Sequence, residues 1–449
     1  MISFKNIKML SVLLFISILS TINCQCLTSN DSPTTGDENS KALLTMAELN
    51  FALDSLDKVA LIEARDNVFY SPHSIHEALV LAYFGARGET EKNLKKALKI
   101  PEELSKIDIQ RSYALDKSIK QFAKSLQNSS ETNYEFTTAN RLYISSGKMI
   151  RECMLDLFGS QLEKVDFKSN PSEITMMINE WVSNTTKGNI KDLIPSDGID
   201  EATDLVLVNA VYFKGLWQNK FDLADSKRDI FYGSKNSIVT YMTQKKTFNY
   251  MVAEDLGAYV IQMPYKGEDI SMFVFLPPFA MARSLGDNST SSIERDGIKK
   301  LITRMTTNEK GVKELQDILT DGMPQREVEV TFPKFTIEKE LPMGTLLDAL
   351  GAGDLMKANV ADLRGFVDDK EGLHLGDAVH KAKIEINEEG TTAAAATALF
   401  SFRSSRPAEP AVFNANHPFV YIIYDKNSQS ILFTGIYRTP VIPVDTNTS

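Results

Sequence analysis

The chain has 449 residues and a formal net charge of −10, from 49 basic and 59 acidic side chains. With 43% hydrophobic and 9% aromatic residues it can bury a sizeable core, which excludes global disorder. The acidic balance excludes nucleic acid as a main partner, because phosphate binding depends on clustered Lys and Arg. Three cysteines are too few for a disulfide scaffold.

The N-terminus is typical of a secretory signal peptide. Lys5 and Lys8 precede an apolar run over residues 9–22. The run is shorter than the roughly 20 residues that a membrane-spanning helix needs. We predict a signal peptide over residues 1–24, cleaved near Asn23–Gln25, and a flexible lead-in over residues 25–40. The mature protein is then secreted and extracellular, with no membrane span.

In a secreted protein, asparagines in sequons can be glycosylated and cysteines can form disulfides. Five asparagines stand in N-x-[ST] sequons and are glycosylation candidates: Asn128, Asn288, Asn184, Asn30 and Asn447. Cys26 and Cys153 could form one bridge at most, but Cys26 lies in a polar tail. We therefore predict a free Cys153 within a helical core.

Helices dominate the first part of the chain. Apolar residues recur with helical spacing from residue 41 to about 127, and the first stripe is formed by Ala47, Phe51, Leu53 and Leu56. Ser71 and Pro72 are a capping hydroxyl and a first-turn proline, which predicts that a helix begins there. A further helix over residues 109–126 places Lys117, Lys120 and Lys124 on one face.

Strands dominate the remainder, apart from a helix at 173–186 and a helical patch between residue 296 and the strand that begins at residue 326. The strand pattern predicts segments at 136–144, 205–213, 230–232, 239–242, 247–252, 259–263, 271–276, 326–337, 373–387, 419–424 and 431–437. Helices early and antiparallel strands late predict an α+β fold, with one domain over residues 41–441. Residues 279–296 form a polar surface loop to which the sequence assigns no function.

Motifs for catalysis are missing from the sequence. It contains no G-x-S-x-G elbow, H-E-x-x-H zinc helix, phosphate-binding loop or EF-hand spacing. The five histidines are scattered, without the clustering that a metal site requires: His73, His76, His374, His380 and His417. We therefore predict no enzyme activity, no metal and no cofactor.

One segment departs from ordinary globular sequence. About 25 residues separate the strand that ends near residue 387 from the next strand, which is long for a connection without structure. Gly390 permits a change of backbone direction where the strand ends. Every second residue from there, Thr391, Ala393, Ala395 and Thr397, is small enough to enter a crowded sheet. The alternative interpretation is a flexible Ala-rich spacer.

An ordered series of motifs resembles the serpins over nearly the whole mature chain. The matching segments are 67–75 (NVFYSPHSI), 209–217 (NAVYFKGLW), 332–335 (FPKF), 361–365 (ADLRG), 380–397 (HKAKIEINEEGTTAAAAT) and 417–419 (HPF). The resemblance implies the serpin fold, in which N-terminal helices surround a large central β-sheet, with further sheets and an exposed reactive loop at about 388–410. It also implies a suicide inhibitor of serine proteases.

In that mechanism the protease cleaves the loop, becomes an acyl-enzyme and is distorted when the loop inserts as a new strand. The resemblance assigns the hinge of the loop, where insertion starts, to Glu388, Glu389, Gly390, Thr391, Thr392, Ala393, Ala394, Ala395, Ala396 and Thr397. Non-inhibitory relatives often carry bulky, charged or Pro residues here, and this chain does not. The resemblance assigns the opening of the sheet to Ser71, Ser74, Asn209, Trp217 and His380.

The reactive bond is predicted at Arg403–Ser404. Arg403 offers a cation to the acidic specificity pocket of a trypsin-like protease. Counting along the loop also allows Ser404–Ser405, while Phe402 and Phe400 leave a chymotrypsin- or elastase-like target open.

The predicted partner is an extracellular serine protease in a covalent complex with a monomeric inhibitor. By the resemblance, Lys117, Lys120 and Lys124 fall near the helix that binds glycosaminoglycan in some serpins, but a solvated helix face is the preferred interpretation. The alternatives are a cysteine-protease target and a non-inhibitory serpin that acts as carrier or chaperone.

Overall fold

The computed structural model describes residues 40–126, 134–279, 297–367, 373–388 and 409–440. The helices are α1 (Ser40–Ile62), α2 (Pro72–Gly85), α3 (Gly88–Ala97), α4 (Lys106–Leu126), α5 (Glu152–Phe158), α6 (Pro171–Thr185), α7 (Ile298–Thr306), α8 (Glu309–Thr320) and α9 (Met343–Leu350). The strands are β1 (Val68–Tyr70), β2 (Tyr134–Ser145), β3 (Leu162–Val165), β4 (Leu205–Gly215), β5 (Lys227–Tyr232), β6 (Asn236–Ala253), β7 (Ala258–Pro264), β8 (Ile270–Leu276), β9 (Gln325–Pro333), β10 (Phe335–Leu341), β11 (Asp377–Ile386), β12 (Ala411–Asn414), β13 (Phe419–Asp425) and β14 (Ser430–Tyr437).

A five-stranded sheet has the order β10-β11-β4-β2-β3. Its two central strands, β4 and β11, run parallel, from Val206 opposite Asp377 to Phe213 opposite Ile384. We call this pairing the seam. The outer neighbours of the seam, β2 on β4 and β10 on β11, are antiparallel. The seam therefore joins two halves of the sheet, β10–β11 and β4–β2–β3.

A second sheet has the order β1-β14-β13-β8-β7-β6-β9-β12, with β5 paired to β6. Strands β13 and β14 form the predicted C-terminal hairpin, and it is buried along almost its whole length. The chain crosses from this sheet to the five-stranded one between Pro333 and Phe335, with Lys334 as the single residue between β9 and β10.

The five-stranded sheet is buried on both faces. Its inner face packs on the second sheet through Val211, Phe213 and Ile384, which share a core with Tyr421 and Phe433. Its outer face is covered by α6 and the segment after it, in a separate core that includes side chains from both β4 and β11. Any rearrangement of the seam must therefore disturb two cores.

The α+β prediction is confirmed, and the start of α2 lies where the sequence places it. Ser71 caps α2 by accepting a hydrogen bond from the backbone N–H of Ser74 at 3.1 Å, and Pro72 occupies the first turn. This cap directs the N-terminus of α2 at the inner face of the five-stranded sheet.

Two strand predictions are wrong in extent. The segment 326–337 is two strands, β9 and β10. It was predicted as one strand because the alternation of polar and apolar residues continues through Lys334, where the backbone passes from one sheet to the other. The segments 239–242 and 247–252 are one strand, β6, whose polar middle at residues 244–246 resembles a turn but is solvent-facing sheet. Three pairings are parallel, β4–β11, β2–β3 and β9–β12, where antiparallel strands were predicted.

The prediction of a free Cys153 is wrong, because Cys153 in α5 is disulfide-bonded. The two other cysteines of the chain are Cys24 and Cys26, and both lie outside the described residues. The sequence around Cys153 could not reveal the bond, since a disulfide depends on which residues the fold brings together.

Of the helices in the described part of the chain, none has the combined length and apolarity needed to cross a membrane.

Candidate functional site

A row of polar side chains crosses the inner face of the five-stranded sheet at the seam. His380 on β11, Asn209 on β4 and Asn140 on β2 are register neighbours on adjacent strands. We call these three residues the polar row. Asn209 donates through Nδ2 to Asn140 Oδ1 at 2.7 Å and to Ser74 Oγ at 2.8 Å. The polar row thus connects three strands of the sheet to the first turn of α2.

Ser71 and His380 complete the cluster from opposite sides. The backbone N–H of Ser71 donates to Nε2 of His380 at 3.2 Å, and the Ser71 hydroxyl donates to the carbonyl of Leu432 on β14 at 2.6 Å. Because Nε2 accepts, the proton lies on Nδ1, which donates to Oδ1 of Asn209. The side chain of His380 is therefore neutral and spans the seam.

Burial keeps His380 neutral. The residue is fully enclosed, and this desolvation lowers the pKa of its imidazole to about 3. A proton on Nε2 would remove the acceptor of the Ser71 N–H and place a charge between the two sheets. The two strands of the seam are thus joined by hydrogen bonds between buried side chains as well as by the backbone ladder.

A second cluster holds the chain where β11 ends. The carboxylate of Glu388 accepts from Ser226 Oγ at 2.9 Å and forms an ion pair with Lys334 at 2.9 Å. Burial by itself raises the pKa of the Glu388 carboxyl, but the hydrogen bonds from Lys334 and Ser226 favour the charged form, and the net shift is downward. Lys334, the residue that links the two sheets, therefore fixes the first residue of the predicted hinge.

Trp217 closes the same end of the seam. Its Nε1 donates to the carbonyl of Asn387 at 3.0 Å, and its ring stacks on Tyr265 with centroids 4.6 Å apart. The ring also contacts Phe221 edge-on. Trp217, which follows β4, thus ties the end of β11 to the end of β4 and to Tyr265 at the end of β7.

The other end of the predicted loop is held by the second sheet. Strand β12 pairs with β9, from Ala411 opposite Val328 onward. Arg326, near the start of β9, donates to the carbonyl of Glu409 at 3.3 Å. The described chain on both sides of residues 389–408 is therefore fixed by hydrogen bonds.

The structure brings Ser71, Ser74, Asn209 and His380 together in one cluster, and Trp217 with Glu388 in another. Sequence analysis missed Asn140, Ser226 and Lys334. A lone Asn within the predicted strand at 136–144 was the available signal for Asn140. Within the described residues no three His, Cys, Asp or Glu side chains are grouped as a metal site.

Several predicted positions lie outside the described residues. These are the hinge from Glu389 to Thr397, the bait residues Phe400, Phe402, Arg403, Ser404 and Ser405, and the sequons at Asn30, Asn128, Asn288 and Asn447. Lys117, Lys120 and Lys124 belong to α4, but their side chains are also outside the described part. Asn184, in the last turn of α6, is exposed.

Replacing Lys334 with Met should destabilise the protein by about 1–2 kcal/mol, because it leaves the buried Glu388 carboxylate without its cation. The lowered pKa of Glu388 gives this carboxylate a stabilising role above its ordinary value of 4.5, which is lost as the pH falls through the folded value. In urea titrations the variant and the wild type should therefore differ fully at pH 7.5, and the difference should shrink as the pH falls below 4.5.

The matched control is Lys245→Met. Lys245 on β6 pairs with Glu327 on β9 at 3.4 Å, but both side chains are about half exposed. Such a pair contributes roughly 0–1 kcal/mol. A loss from Lys334→Met no greater than that from Lys245→Met would contradict the assigned role.

The fold is that of two solved structures. Maspin superposes with a TM-score of 0.75 at 24% sequence identity, covering 90% of this chain and all of that one. Uncleaved ovalbumin superposes with a TM-score of 0.72 at 24% identity, covering 88% of this chain and all of that one. At this identity the likeness establishes the architecture.

The family follows from the sequence comparisons. The model described as Serpin (serine protease inhibitor) matches residues 46–440. Serine protease inhibitor 88Ea of Drosophila melanogaster is 36% identical over 425 residues, 91% of this chain and 93% of the relative. Leukocyte elastase inhibitor of Sus scrofa is 35% identical over 405 residues, 88% of this chain and 99% of the relative. The chain belongs to the serpin family, and its general function is protease inhibition.

Proposed function

We propose that the protein is a secreted suicide-substrate inhibitor of serine proteases, which traps the acyl-enzyme by inserting its cleaved loop at the seam. The observation that carries this proposal is the direction of the strands. β11 runs directly into the loop beside the parallel strand β4. A chain that reverses after Glu388 and enters the seam is antiparallel to both neighbours.

Insertion therefore replaces one parallel pairing with two antiparallel pairings, which are slightly more stable per residue. In this mechanism insertion also gives the loop backbone the hydrogen bonds of a paired strand. The small side chains at Thr391, Ala393, Ala395 and Thr397 suit a strand buried between two cores. The polar row and the contacts of Glu388 and Trp217 hold the seam closed until cleavage.

The bond offered to the protease is Arg403–Ser404 in this proposal. The serine hydroxyl of the protease attacks the Arg403 carbonyl, the peptide C–N bond breaks, and the amine of Ser404 leaves as a new N-terminus. The protease is then esterified to Arg403, on the half of the loop that inserts. Hydrolysis of that ester competes with insertion.

An elastase- or chymotrypsin-like target is the second candidate. Phe400 and Phe402 offer apolar side chains on the same stretch of loop. One relative at 35% identity is named a leukocyte elastase inhibitor. Because Phe400, Phe402 and this relative point to a different class of protease from Arg403, the test must use several proteases.

Three observations support secretion. Lys5, Lys8 and the apolar run after them resemble a signal peptide. The disulfide at Cys153 favours an oxidising compartment, since cytosolic thiols are kept reduced. Asn184 is exposed and therefore accessible to a glycan.

Incubation with trypsin, thrombin, chymotrypsin and elastase tests the proposal. We expect a complex that survives denaturing electrophoresis with a trypsin-like enzyme. Mass spectrometry should then find a released C-terminal peptide that begins at Ser404. A peptide that begins at Ser401 or Arg403 assigns the bait to a Phe, and cleavage by all four enzymes without any stable complex contradicts inhibition.

A further inference from the structure

Lys383 on β11 lies on the outer face of the seam and contacts both β10 and the segment that follows α6. Its Nζ donates to the carbonyl of Asn189 at 3.1 Å and pairs with Glu338 on β10 at 3.5 Å. Asn189 belongs to residues 186–199, the segment after α6, which we call the covering segment. Only about a quarter of the Lys383 side chain is exposed.

The covering segment is fastened to the half of the sheet that contains β4. Asn179 on α6 exchanges two hydrogen bonds with the backbone of Ile194, both at 2.9 Å. Helix α6 is itself held on β2, where Trp181 stacks on the guanidinium of Arg141 at 4.1 Å. The covering segment therefore moves with α6, β2 and β4, whereas Lys383 moves with β11.

Neighbouring strands lie about 4.8 Å apart, so a new strand in the seam separates β11 from β4 by about that much more. The contact between Lys383 and Asn189 cannot keep hydrogen-bond length through this displacement. The pair with Glu338 is unaffected, since β10 and β11 stay together. The contact of Lys383 with Asn189 therefore opposes opening of the seam, whereas the pair with Glu338 does not affect it.

We propose that Lys383 is a positioning residue that latches the covering segment across the seam and slows loop insertion. The proposal rests on the function proposed above. Lys381 has a weaker contact of the same kind, with Nζ 3.5 Å from the carbonyl of Lys191. The latch acts on the rate of opening and hence on how much acyl-enzyme is hydrolysed before it is trapped.

The test measures uptake of a fluorescent peptide with the sequence of residues 389–402, which reports opening of the seam without a protease. Lys383→Met keeps the aliphatic stem and should take up the peptide about three-fold faster or more, as expected for loss of one charged hydrogen bond. Glu338→Gln removes the pairs of Glu338 with Lys383 and with Lys381, both of which lie within the β10–β11 half of the sheet, and should keep the wild-type rate. Lys383→Arg keeps a donor and should remain slow.

Equal rates for the wild type and Lys383→Met would overturn the latch, as would equal acceleration by Glu338→Gln. If Lys383→Met does not fold, Lys383→Arg and Lys383→Gln replace it. Slow uptake by Lys383→Arg with fast uptake by Lys383→Gln would support the latch, and fast uptake by Lys383→Arg would overturn it. Failure of the wild type to take up the peptide contradicts the proposed function itself, which separates the two outcomes.

Discussion

Replacing Thr391 with Arg should turn the protein from an inhibitor into a substrate. In the proposed mechanism Thr391 enters the seam within the first residues of insertion, next to the buried end of β11. A guanidinium there must be desolvated or must distort the strand, and an unpaired buried charge costs several kcal/mol. Each 1.4 kcal/mol added to the barrier slows insertion about ten-fold, while hydrolysis of the acyl-enzyme is unchanged.

Titration of protease activity measures this effect. The number of inhibitor molecules consumed per protease inactivated should rise at least about ten-fold for Thr391→Arg. The rate of loop cleavage should stay the same, since the bait at Arg403 is untouched. Thr391→Ser, which is small and neutral, is the matched control and should trap like the wild type. A stable complex formed as efficiently by Thr391→Arg would exclude insertion at this position.

Acid should destabilise the native protein through His380. The folded pKa of this imidazole is about 3, against an ordinary value of 6.5, so the unfolded chain binds an extra proton at intermediate pH. Stability is therefore complete above about pH 6.5 and falls with decreasing pH until the folded imidazole also titrates near pH 3. Between pH 7 and pH 5 the loss from this one group is about 2 kcal/mol.

Free energies of unfolding at pH 7 and pH 5 should show this loss in the wild type and not in His380→Gln. The variant is less stable at neutral pH because it disturbs the polar row, so the informative quantity is the change with pH. Burial also lowers the pKa of His417, which contacts the carbonyl of Pro277 far from the seam. His417→Gln should therefore keep the His380 contribution, and a parallel pH dependence in the wild type and His380→Gln would refute its assignment.

Local signals in the sequence were sufficient for the elements that the site depends on. Ser71 and Pro72 place the start of α2, and the apolar run from residue 205 to 213 predicts a strand buried on both faces. The ordered motifs predict the family and hence the seam as the place of insertion. These features are encoded within a few residues of where they act.

The contacts that join distant segments were not predictable from local patterns. Lys334 is a lone residue in a continuous strand-like alternation, so nothing nearby indicates that the chain changes sheets there. Asn140 resembles any half-buried polar strand residue until β2 is placed beside β4. Cys153 has a bond whose partner is more than a hundred positions away in the sequence.

One continuous piece of chain, residues 325–341, carries both attachments of the loop. Its first part, β9, holds β12 and the carbonyl of Glu409, and its second part, β10, pairs with β11, while Lys334 between them holds Glu388. The distance between the two attachment points, Glu388 and Glu409, is thus set by this one piece of chain. None of these contacts involves a side chain from residues 389–408. In the proposed mechanism, a substitution at the reactive bond therefore changes the target protease while these contacts stay the same.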